Sequence, residues 1–90
     1  MTSANSAKRI AEIRSRLIAN LEPRLLEISD ESHLHAGHAG ARDGRGHFHV
    51  RIASARFDGL SRLAQHRLVY DALGDLLTTD IHAVRISAEP

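Results

Sequence analysis

Hydropathy along this chain changes period repeatedly, and the order of those changes limits the fold more than any other feature. Ile10, Ile13, Leu17 and Leu21 recur at helical spacing, with Lys8, Arg9, Arg14 and Arg16 mostly outside the stripe and Ser6 placed to cap the helix. Pro23 ends it, because proline pushes the residue before it out of helical conformation. From Arg24 to Ser29 the pattern alternates loosely, Leu26 and Ile28 on one side, Leu25 and Glu27 on the other, as a short half-buried strand does. Residues 30–46 follow neither period and hold four of the six glycines. They predict a long His- and Gly-rich loop, of a length (beyond about 12 to 15 residues) that is usually functional or disordered.

His47 to Ser54 then alternates cleanly, with Phe48, Val50 and Ile52 on a core face and His47, His49 and Arg51 on a face predicted to be wet. After a turn at Asp58-Gly59, a helix is predicted from Leu60 or Ser61 to Leu77, its stripe formed by Leu63, His66, Val69, Tyr70, Leu73, Leu76 and Leu77. Gly74 inside that helix costs about 1 kcal/mol relative to alanine, which predicts a close packing contact there. Ile81 to Ala88 alternates again, with His82 in phase with Val84 and Ile86, so that its ring is expected at the end of the core. Helix, strand, strand, helix, strand predicts an α+β fold: one three-stranded sheet with helices on one face, a single domain over residues 1–90, with residues 1–5 disordered.

The chain contains no cysteine, so it offers no disulfide, no all-cysteine metal site and no thiol nucleophile. No apolar run approaches the roughly 20 residues that span a bilayer. The polar start, Met1 to Ser6, lacks the order of a signal peptide. A soluble, cytoplasmic protein without membrane contact is the expectation. A net charge of +1 gives no general push toward nucleic acid. Seven histidines against three Phe or Tyr residues are the departure from an ordinary small domain, and they direct attention to imidazole chemistry.

His33, His35 and His38 lie in the glycine-rich segment, where flexible backbone can bring two imidazoles to one metal ion; a merely solvated polar loop explains them equally well. His82 reads as a satisfied boundary residue or as a fixed ligand meeting a mobile one from the loop. His66, in the apolar stripe, reads as structural. His47 and His49 share a strand face with no carboxylate near in sequence, a weak basis for a metal site. Ser32 follows Asp30 and Glu31, but no nucleophile elbow, phosphate loop or dinucleotide fingerprint surrounds it, so no enzymatic activity is expected.

Several motifs occur in a particular order: Asp30-Glu31-Ser32 leading into the histidine segment, His47-Phe48, Ser54-Ala55-Arg56-Phe57-Asp58-Gly59, His66-Arg67 with Val69-Tyr70, and Ile81-His82-Ala83-Val84. Together they resemble the BolA-like family from about residue 10 to residue 88. Gln65 stands where that family usually has arginine, and Val84 where leucine is commoner.

The resemblance implies a fold similar to the type II KH arrangement. It also implies partnership with a monothiol glutaredoxin around a shared [2Fe–2S] cluster, in iron–sulfur trafficking or iron sensing. In such complexes the glutaredoxin cysteine and glutathione supply thiolates. The BolA-like partner supplies a histidine of the last-strand motif, here His82, and a residue of the long loop, here His35 with His38 as the alternative. A free homodimer that dissociates to pair with glutaredoxin is a further implication.

Two other classes remain open at this level. As a KH-like DNA-binding regulator the chain would use Arg56, Arg62 and Arg67 on phosphates, although no Gly-X-X-Gly clamp starts at Gly59, where Arg62 stands three positions on. As a metal-free adaptor it would bind glutaredoxin whether or not His35 and His82 were present.

Overall fold

The structure is a computed structural model describing residues 4–32 and 46–90. A helix α1 (Ala4–Leu21) is followed by β1 (Leu25–Asp30), β2 (Gly46–Ala53), a 3-10 turn (Ala55–Phe57), α2 (Arg62–Leu73), a short α3 (Leu76–Thr79) and β3 (Ile81–Glu89). The sheet order is β1-β2-β3. β1 and β2 run antiparallel, while β2 and β3 run parallel and are joined through α2 and α3. A parallel neighbour needs a crossover, which the helical segment supplies. The α+β class and the element order are those read from the sequence.

Burial follows the predicted period in α1 and, from Phe48 to Ile52, in β2. Ile13, Leu17 and Leu21 from the helix meet Phe48, Val50 and Ile52 from the central strand, with Phe57, Val69, Leu73 and Ile81 completing the core. The opposite face of the sheet is polar: Glu27 and Arg51 stand side by side in the register and are joined at 2.8 Å.

Four local expectations are corrected. Helix α1 begins at Ala4, so residues 4 and 5 are helical, while residues 1–3 lie outside the described residues. Ser6 is therefore inside the helix, where it is buried and its hydroxyl donates to the Asp30 carboxylate of β1 instead of capping the first turn. The second long helix stops at Leu73: Gly74 adopts φ +54°, which a left-handed position favours in glycine, and α3 starts afresh beyond it. With the helix broken there, its buried side centres on Val69, Ala72 and Leu73, and Leu63 and Tyr70 are exposed.

The close contact expected at Gly74 is present. Arg16 of α1 reaches it, and a Cβ on Gly74 would stand 3.4 Å from the Arg16 guanidinium. That guanidinium donates to the Leu73 carbonyl at 2.8 Å and pairs with Asp75 at 2.6 Å. It thereby satisfies an acceptor at the C-terminal end of α2 and places a cation where the helix dipole favours one.

Candidate functional site

The predicted loop leaves the sheet after β1 and returns at β2, and hydrogen bonds hold its two feet together. Asp30 Oδ1 accepts from the Ser32 N–H at 2.8 Å, Ser32 Oγ accepts from the His47 N–H at 3.1 Å, and the Glu31 N–H donates to the His47 carbonyl at 2.7 Å. Asp30 belongs to β1 and Gly46 to β2, so the strands extend one residue into each end of the segment read as loop. His33, His35 and His38, with the rest of residues 33–45, lie outside the described residues.

β3 starts beside the returning foot. The Gly46 N–H donates to the Asp80 carbonyl at 3.0 Å, and Gly46 pairs with Ile81. One residue later the register slips: His47 pairs with Ala83, leaving His82 as the extra residue of a β-bulge. An inserted residue reverses the in-out phase of what precedes it. Ile81 is consequently buried and His82 exposed, a correction to the expectation that His82 shares the core face of Val84 and Ile86.

The same bulge changes the role of His47. Read as a wet strand residue, it is 7% exposed, and its ring lies 5.0 Å from that of His82, tilted by 53°. The sequence showed both histidines but not their pairing, which depends on a contact between residues far apart in the chain. His47 and His49 do not act as an accessible pair; His49 is half-buried with Nε2 2.9 Å from Ser87 Oγ. Arg85 and Glu31 close the lower side at 2.8 Å, and the carboxylate holds that guanidinium even more firmly protonated than usual.

Among the described residues no group of three or more acidic or histidine side chains converges in a way that would hold a metal ion. What the described chain offers at this corner is one exposed imidazole, His82, next to the anchored feet of the histidine-rich segment. His66, expected to be structural, is half-buried on α2 and faces a groove beside β3.

The three arginines of the nucleic-acid reading are not gathered on one face. Arg56 pairs with Glu22, and Arg62 and Arg67, five residues apart on α2, point about 140° away from each other at the 100° per residue of an α-helix. No helix of the described residues is long and apolar enough to cross a membrane.

Comparison with known proteins agrees with this architecture. The family model described as BolA-like protein matches residues 17–90. SufE-like protein 1, chloroplastic/mitochondrial, of Arabidopsis thaliana is 45% identical over 82 residues, covering 86% of this chain and 22% of the relative. Protein BOLA1, chloroplastic, of the same plant is 43% identical over 81 residues, covering 87% of this chain. The chain spans 51% of that protein's length, so it corresponds to one part of each of these relatives. The solved BolA domain of SufE1 from Arabidopsis thaliana superposes with a TM-score of 0.77 at 38% identity, over 100% of this chain and 96% of that one. Motifs, element order and these matches agree, and the chain belongs to the BolA-like family.

Proposed function

We propose that this protein pairs with a monothiol glutaredoxin and shares a [2Fe–2S] cluster with it, His82 being one imidazole donor and His35, or His38 in its place, the other. The observation that carries the reading is the position of His82, exposed on a bulge directly beside the anchored feet of the segment that bears the other two histidines. From Ser32, His35 is three residues along the chain, a reach of up to about 10 Å.

The donor set fits a shared group. A chain without cysteine cannot hold such a cluster by its own thiolates, whereas imidazoles can complete a site whose thiolates come from the partner and from glutathione. Imidazole in place of thiolate raises the cluster's reduction potential. It also makes ligation sensitive to pH, since protonated imidazole does not bind metal. These properties suit cluster transfer or iron sensing, with the cluster as cargo rather than catalyst.

The test is an anaerobic visible circular-dichroism titration of a cluster-loaded monothiol glutaredoxin, with glutathione present. A new spectrum saturating at one equivalent is expected. His82→Ala should alter that spectrum, and an unchanged one rejects His82 as a ligand. Titration without any spectral change rejects cluster sharing altogether, and metal-free binding that survives loss of both His35 and His82 would establish the adaptor reading in its place.

A further inference from the structure

Among the described residues β3 is the last strand of the sheet, so one of its edges meets β2 and the other meets no described strand. The Ser54 N–H donates to the Glu89 carbonyl at 3.0 Å, which places the backbone groups of Glu89 on the β2 side. Successive residues of a strand direct their N–H and C=O to alternate edges, and the register pairs Ser87 with Arg51 and Arg85 with His49. Ser87 and Arg85 therefore also face β2, while Val84, Ile86 and Ala88 present their N–H and C=O outward. Among the described residues no hydrogen bond engages that outward row.

A groove of about 250 Å³ runs against this edge. It is lined by residues 86–89, which belong alternately to the two faces of β3, so the groove follows the strand's margin rather than either surface of the sheet. Its walls carry Arg51 from β2 and Arg62 and His66 from α2. Arg62 is exposed at the first residue of α2 and makes no ion pair among the described residues. It adds to the positive end of the helix dipole. Among the described residues Glu89 is the one carboxylate that lines the groove, and Arg51 is matched by Glu27 outside it.

We infer that the outer edge of β3 takes an extended acidic segment of a partner protein as a fourth strand, with a carboxylate of that segment seated on Arg62 beside His66. Main-chain hydrogen bonds to Val84, Ile86 and Ala88 supply attachment, and the unmatched arginine selects for negative charge. The inference concerns recognition by the metal-free protein and stands apart from the cluster reading. An edge left open in this way otherwise invites indiscriminate strand pairing, which a charge requirement restricts.

The test uses the metal-free, isotopically labelled protein and two short blocked peptides, one alternating valine with glutamate and the other valine with lysine, followed by amide chemical shifts. The glutamate peptide should shift the signals of Val84, Ile86, Ala88, Arg62 and His66, and bind at least about tenfold more tightly than the lysine peptide. Ala88→Pro removes one outward N–H without touching the ladder to β2 and should abolish binding. Arg62→Glu, on an exposed side chain, should weaken it roughly tenfold and decides the matter if the proline variant does not fold. Equal response to both peptides, shifts elsewhere on the surface, or no binding at millimolar peptide would overturn the inference. So would β3 shifts that depend on protein concentration without peptide, which would assign the edge to a second copy of this chain.

Discussion

The Ser54 hydroxyl donates to the Leu21 carbonyl at 2.6 Å, and this bond ties the end of β2 to the last turn of α1. Ser54 is 1% exposed, and its oxygen also accepts from the Arg56 N–H at 3.2 Å, so one side chain serves a helix C-terminus and the turn that leads toward α2. Carbonyls in the last turn of a helix have no partner within it. Ser54→Ala leaves the Leu21 acceptor buried and unsatisfied, at a cost of roughly 1–3 kcal/mol. Urea denaturation should show that loss as a lower midpoint with an unchanged slope; an unchanged midpoint would mean that water replaces the hydroxyl.

Arg16 makes a comparable tie between α1 and the Gly74 break, but through charge. Its guanidinium, hydrogen-bonded to Asp75, holds that carboxyl below the usual aspartate range. A depressed carboxyl pKa contributes stability that is fully present above the unfolded value, near pH 4, and is lost as the pH falls through the folded value. Arg16→Met should therefore lower the thermal midpoint at pH 7. The gap between variant and parent should narrow below about pH 4, and also with added salt because the pair is exposed. A gap independent of both would assign the effect to the Leu73 carbonyl bond alone.

The contrast between these residues and the sequence reading shows where local pattern runs out. The stripe of Ile13, Leu17 and Leu21 and the alternation of Phe48, Val50 and Ile52 are local periods, and they locate α1, β2 and the core correctly. Gly74 was visible as an anomaly, but the Arg16 guanidinium that meets the helix end there comes from far away in the chain. His82 was singled out by its motif, yet its exposure follows from a register slip opposite Gly46 and His47, which no window of sequence contains. The burial of His47 beside it has the same non-local origin.

Burial on α1 differs sharply between neighbours, which provides an internal control. Leu17 is fully buried, whereas Ile18 is 49% exposed. Leu17→Ala should cost about 2–5 kcal/mol, a large share of what a domain of this size can spare, while Ile18→Ala at a surface position should change stability by no more than about 0.5 kcal/mol. Denaturation midpoints of the two variants measure the difference directly. Similar losses at both positions would mean that Ile18 is covered in solution.

Gly46 offers the most direct mechanical access to the candidate site. A Cβ there would stand 2.5 Å from Cε2 and 2.7 Å from Cζ of Phe48, a ring that is 1% exposed and enclosed by the core. Overpacking of this kind costs roughly 1–3 kcal/mol. Because the Gly46 N–H bonds the Asp80 carbonyl and Gly46 pairs with Ile81, the strain from Gly46→Ala is relieved by moving the start of β3. The variant should show a lower urea midpoint together with amide shift changes larger at Ile81, His82 and Ala83 than at Ser87 and Glu89. A lower midpoint with changes confined to the surroundings of Phe48 would mean that the ring yields and the bulge does not, and that His82 is held independently of the glycine.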